Sequence, residues 1–500
     1  MSNVARRFAA PHPAFGHLLP ASGAKALDSP ASRLKGLDFH VAPESSFEIP
    51  RPAKRGEGGR RPGEGRVTLL FTLACLFASS MFAQSVIINN PGKKGTVAIR
   101  NATIVPVSSA TIPNGTIVFS NGVITAVGAS AQIPANATVI DGTGLFVYPG
   151  LIDAGSHVGL EEISAVPGTV DTAELGDINP NARAEVAVNP HSNVIPVTRV
   201  NGITSVVTEP EGGIISGSSA MINLAGWTPQ EMTLKAPLAM HIHFPRLRGG
   251  RFAEVPQDEE AEKEAKKNYT QQVDKLRDTL RDAQAYAKAA AARAKDATVK
   301  RYDRDLVLEA LVPVVEGREP VIVHASLERD IRAAIKFADE MKLKMILADG
   351  DDVAKVIPDL KKRNIPVILC PILSPPPHED DPYDLVFSNA KALHDAGIPF
   401  SIQTQDSHNA RNLPYHAAAC AAFGLPKDAA LESVTINAAK ILGVADKIGS
   451  LEPGKIANVI VTDGDPLEIV THVKRLFIGG EDISLETNQT LLYEKFEKRP

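Results

Sequence analysis

Histidines and carboxylates recur in this chain where short apolar runs end. Residues 150–157 close on His157, 236–244 contain His241-Ile242-His243, and 320–325 contain His324. Residues 344–348 are followed by Asp349, and 398–404 by Gln405-Asp406. Imidazole nitrogens and carboxylate oxygens together are the donor set of a hard-to-borderline divalent cation, zinc first. A lone histidine after an apolar strand is more often structural, whereas several converging on one rim are what a metal or catalytic site needs. Side chains two apart on a strand point to the same side, so His241 and His243 face the interior together or the surrounding helices together. Thiolate chemistry offers no competing reading, because Cys75, Cys370 and Cys420 are the only cysteines and form no CxxC. A disulfide between Cys370 and Cys420 would depend on a distance that spacing alone does not give.

The elements that must position these groups are the apolar runs themselves. Eight of them, at 150–157, 203–208, 220–224, 236–244, 320–325, 344–348, 365–370 and 398–404, alternate with helical or loop segments. That pattern predicts an α/β protein built on a (β/α)8 TIM-like barrel, whose active-site groups project from the carboxyl ends of its strands. Near-continuous apolar character is what parallel strands covered on both faces require. An open doubly wound sheet is the alternative, but no glycine-rich phosphate fingerprint follows the first run. Residues 84–149 and 448–485 are β-rich and broken by turn signals, among them Asn121-Gly122, the dipeptide of a two-residue hairpin. They predict a composite β-sandwich domain made by both ends of the chain around a barrel at 150–447, with a tail at 486–500. Residues 254–302 are rich in Ala, Glu, Lys and Arg with Glu262 and Lys266 at i,i+4, and predict a long solvated helical insertion.

Of 500 residues, 53 are Lys or Arg and 58 Asp or Glu, for a net charge of −5. That balance provides no basic field for sequence-independent nucleic-acid binding, so a small-molecule substrate is the expected partner. Residues 1–66 read as a disordered leader, and the apolar residues 67–83 as a signal peptide ending at Ala83. A leader that long ahead of an apolar core suggests a true start near Arg66. Export to the periplasm or the extracellular space follows, with a single N-terminal membrane anchor as the alternative.

Pro149-Gly150-Leu151-Ile152-Asp153 followed by a histidine resembles the first strand of the amidohydrolase superfamily. So do Thr435 to Gly443, Gly449 to Lys455, and the β-rich ends, over about residues 95–480. Local wording, including Arg411 to Tyr415 and Asp381 to Asp384, is most similar to the imidazolonepropionase-like subgroup. The resemblance implies a metal-dependent hydrolase acting on a carbon–nitrogen bond of a cyclic amide or dipeptide-like substrate. In such a site a divalent ion lowers the pKa of water toward ~7 and a carboxylate carries the proton to the leaving nitrogen. It further implies metal ligands at His157, His324 and Asp406, with Asp406 also the catalytic proton shuttle. The chain departs from the pattern at two positions. Gly155 stands where the first strand has a histidine, and Asp349 where the sixth has one; a carboxylate can still bind zinc. His241 and His243 are the available replacements.

Loss of ligands also fits a catalytically inactive binding or partner subunit, as a homo-oligomer or beside a paralogous amidohydrolase, since function follows site residues and not the fold. A ligand-binding receptor using the glycines of 212–219 as a backbone-donor loop is a third reading. Arg246, Arg248 and Arg251 after the fourth run are candidates to clamp a substrate carboxylate, and Trp227 after the third to wall a pocket.

Overall fold

The computed structural model describes residues 95–247, 259–300, 302–369, 372–378 and 380–499. The leader, the apolar segment 67–83, Cys75, Arg248, Arg251 and Cys370 lie outside the described residues. Among the described residues, no helix is long and apolar enough to cross a membrane. The architecture is mixed α/β.

The first strands are β1 (Thr96–Ile104), β2 (Ile112–Ser120), β3 (Val123–Gly128), β4 (Thr138–Asp141) and β5 (Phe146–Pro149). Asn121 and Gly122 take φ of 50° and 85°, and Ser120 pairs with Val123. Positive φ at both central residues matches the turn to the twist of its strands, which is why this dipeptide reverses the chain in two residues.

The central strands are β6 (Leu151–Ser156), β7 (Ile203–Thr208), β8 (Ile215–Ser218), β9 (Ala220–Asn223), β10 (Thr233–Lys235), β11 (Met240–His243), β12 (Val321–Ala325), β13 (Met345–Asp349), β14 (Val367–Leu369) and β15 (Phe400–Ile402). They form one sheet in the order β10-β9-β7-β6 and another in the order β15-β14-β13-β12-β11-β8. β6 and β7 run parallel, as do β11 through β15. Residues along these strands alternate between two buried clusters. Ile152, Val207, Ile322, Ile346 and Ile368 belong to one, and Leu151, Val206, Val321, Leu347 and Leu369 to the other. Both faces are covered, so the runs read as continuously apolar.

The third run departs from the expectation. β8 is antiparallel to β11, and β9 is antiparallel to β7. The segment 214–219, read as a glycine loop, is therefore largely strand. A Cβ on Gly217 would sit 2.6 Å from the Ala182 carbonyl oxygen, so that glycine serves close packing against the segment around 182 and is no free donor loop.

β16 (Val459–Thr462), β17 (Val473–Ile478) and β18 (Glu481–Ile483) bring the chain back to the sheet of β1 to β5. β16 lies antiparallel to β5 with Val459 opposite Pro149, and the eight-stranded sheet runs β18-β17-β16-β5-β1-β2-β3, with β4 beside β1. Phe119 and Phe477 meet edge to face in its core at 5.0 Å. The insertion forms the helix Glu259–Lys295, which buries Leu276, Leu280, Ala283 and Ala287 and leaves charged pairs such as Lys266 with Glu262 in solvent. Arg277 ties it to Glu340 of the helix Glu328–Met341.

Candidate metal centre

Alternation along the strands decides what meets at their carboxyl ends. Val207, Ala239 and Ile322 lie in one buried cluster. The same parity carries Glu209, His241 and His324 to that side, two residues further along each strand. Their ligand atoms all lie within 4.8 Å of one another, and all three residues are buried. His241 Nδ1 is 3.0 Å from His324 Nε2 and 3.7 Å from Glu209 Oε2. Ligand atoms at zinc bond lengths of ~2.0–2.1 Å in a tetrahedron stand about 3.3 Å apart, so these separations suit a shared cation. Among the described residues, Glu209 Oε2 and His241 Nε2 have no hydrogen-bond partner. A buried carboxylate oxygen without a partner is costly, and a cation removes that cost. The residues present therefore fit a divalent cation.

The other nitrogen of His324 faces Asp349, whose Oδ1 is 3.2 Å from Nδ1. Ala348 belongs to the same cluster as Ile322, so a regular strand would turn the next side chain away. A φ of 75° at Asp349 ends the alternation and brings its carboxylate back to His324. Gln405 Nε2, also on a residue of positive φ, donates to the same oxygen at 3.4 Å. Asp349 is thus placed to orient His324 through the nitrogen that faces away from His241, and it is not one of the three residues of the cluster. Burial alone would depress His324, but the hydrogen-bonded Asp349 carboxylate holds it above its ordinary value. Burial likewise works against ionised Asp349, and His324 holds its pKa below the usual carboxylate range. Burial and the neighbouring His324 push His241 far down, and burial takes His243 to about 3. Burial raises Glu209 to about 8. His243 stacks on His324 at 4.4 Å, so both histidines of the fourth run face the same way.

His157 and Asp406 lie at the margin of this centre. His157 Nε2 is 3.8 Å from Glu211 Oε2, and burial lowers its pKa despite Glu211. The Asp406 carboxylate accepts from Asn409 N at 2.9 Å and Asn409 Nδ2 at 3.0 Å. Its two oxygens close a local turn, and it is not one of the three residues of the cluster. The carbonyl of Asp406 receives His157 N, and Gln405 N donates to the Gly155 carbonyl at 3.0 Å, which joins the ends of the first and last central segments. Arg246 is exposed, and its charge bears on His243 and Asp349. Trp227 is not at this rim. It follows β9, whose reversed direction carries it to the opposite end of the strands, where it is 45% exposed.

Glu209, in the cluster, and Gln403, buried near it, are residues that the sequence reading did not single out. Glu209 directly follows the second run, and period two from Val207 would have found it. Gln403 lies inside the last run, and its type carries no metal signal.

The amidohydrolase family model matches residues 146–481, and the chain belongs to that family. It is 25% identical over 397 residues to the amidohydrolase tasK of Hapsidospora irregularis, covering 73% of this chain and 39% of that protein. The chain thus spans well under half the length of that relative. A probable imidazolonepropionase of Nematostella vectensis is 37% identical over 97 residues, 19% of this chain and 21% of that protein. The solved amidohydrolase of Thermotoga maritima MSB8 superposes with a TM-score of 0.69 at 26% identity, covering 78% of this chain and 99% of that one.

Proposed function

We propose that the protein hydrolyses a carbon–nitrogen bond of a small cyclic amide or dipeptide-like substrate. The divalent cation, zinc first, is held by Glu209, His241 and His324. The observation that carries this reading is the buried trio itself, with its unpartnered carboxylate oxygen. In the same reading the central strands form a (β/α)8 barrel whose third stave is reversed, and the terminal sheet folds as the composite β-sandwich. The Gln405-to-Gly155 hydrogen bond supports closure of the ring.

A divalent cation held by Glu209, His241 and His324 would supply Lewis acidity, which lowers the pKa of water toward ~7. Asp349 fixes the Nδ1 proton of His324 and so keeps Nε2 turned to the centre. His157, with Glu211 beside it, takes up a proton and returns it to the leaving nitrogen. Arg246 receives a substrate carboxylate at the rim. A signal peptide and export belong to this reading, and N-terminal sequencing of the native protein tests them.

Metal analysis of the full chain, purified without chelator, is the deciding experiment. About one zinc, manganese or iron per chain is expected, falling sharply in His324→Ala and Glu209→Gln. A chain that takes up no metal even with added zinc overturns the hydrolase reading. The second reading, an inactive binding or partner subunit, rests on Gly155 and would then stand first.

A further inference from the structure

Gly155 and Gln403 meet at the joined ends of the first and last central segments. An ideal Cβ on Gly155 would lie 2.0 Å from Gln403 Oε1 and 2.8 Å from Glu209 Oε2. Gly155 does not occupy the left-handed region, so space and not backbone conformation calls for glycine here. The amide of Gln403 already stands where any side chain at 155 would begin, and it borders the same volume as the orphaned oxygen of Glu209. Gln403 is 0% exposed, yet neither Oε1 nor Nε2 has a hydrogen-bond partner among the described residues. A side chain that only filled space would do so better as Leu or Met, without an unsatisfied amide. Parity points the same way, since Phe400 and Ile402 face the other cluster and Gln403 faces the side of Glu209.

We propose that Gln403 is a further ligand of the cation centre. Its amide oxygen takes the approach that a side chain at 155 would otherwise use, beside Glu209, His241 and His324. The inference rests on the metal reading above and deepens it. Two imidazoles, a carboxylate and an amide oxygen make a harder donor set than an all-imidazole rim, one that suits manganese, iron or cobalt as well as zinc. Gly155 and Gln403 are then a complementary pair: the glycine is a condition for the glutamine ligand.

The test uses the full chain titrated with cobalt(II), reading the visible ligand-field bands and the affinity by competition with a chelator. Wild type is compared with Gln403→Leu, Gly155→Ala and Gln403→Glu, each checked for folding by circular dichroism without metal. Gln403→Leu is expected to weaken cobalt binding by about tenfold or more and to shift the bands. Gly155→Ala should do the same with Gln403 intact, because the new methyl displaces the amide. Gln403→Glu should restore or tighten binding with its own band shift, and it decides the matter if the leucine variant does not fold. Cobalt affinity and bands unchanged across these variants overturn the assignment of Gln403 alone. A wild-type chain that binds neither cobalt nor zinc overturns the centre as a whole, and this assignment with it.

Discussion

Single residues at the strand ends carry opposed electrostatic tasks. Asp349 is valuable for what it does to His324, so Asp349→Asn should lower zinc affinity by about 10- to 100-fold while leaving the chain folded, a change that chelator competition reads directly. Asp153 presents a separate case. It is fully buried and accepts from Thr404 N at 3.0 Å and from the Thr404 hydroxyl, yet burial raises it to about 7. Its folded pKa therefore exceeds the unfolded value near ~3.9. The proton it binds adds stability that is full below the unfolded pKa and is lost as pH rises through about 7. Asp153→Asn keeps an acceptor and removes the titration. The stability of wild type relative to this variant should fall by on the order of a few kcal/mol between pH 4 and 7. Denaturant melts of both proteins across that range check it, and parallel pH profiles would remove Asp153 from the account.

The helix Glu259–Lys295 shows how an element divides its work between faces. Leu276, Leu280, Ala283 and Ala287 form the buried stripe at helical spacing, while Lys266 and Glu262 pair at 2.7 Å with more than half of each side chain in solvent. Leu280→Ala should cost about 2–5 kcal/mol, from lost burial and the cavity left behind. Lys266→Ala should stay within ~0.5 kcal/mol, because an exposed i,i+4 pair is screened and entropically costly. Equal effects in chemical denaturation would mean the helix is not docked along this stripe. The third central run teaches a related lesson. Apolar character marked 220–224 as a strand, but direction is not encoded in that character, and Trp227 leaves β9 at the end opposite Glu209.

For the molecule as a whole, the two ends of the chain depend on each other. β16 pairs with β5, and Phe477 packs on Phe119 across the terminal sheet. Phe477→Ala is expected to destabilise by about 3–5 kcal/mol. In a double-mutant cycle with Phe119→Ala, a coupling of about 0.5–1.5 kcal/mol should remain beyond the buried area. Purely additive losses would show that the ring pair contributes only through burial.

Much of this was legible from the chain alone. The Asn121-Gly122 reversal, the buried parallel runs, the helical insertion, and His241 and His324 at strand ends all follow from local patterns, because turn chemistry and side-chain period act over a few residues. The family membership was carried by short motifs in order, Pro149 to Asp153 above all. What only the tertiary structure decided is which side chains converge. Glu209 joins His241 and His324, Asp349 turns to the far nitrogen of His324, and Gln403 fills the space beside Gly155. Each depends on strand direction, on one residue of positive φ, or on a contact between segments more than thirty residues apart. No local pattern records those distances, and a ligand set is defined by distances.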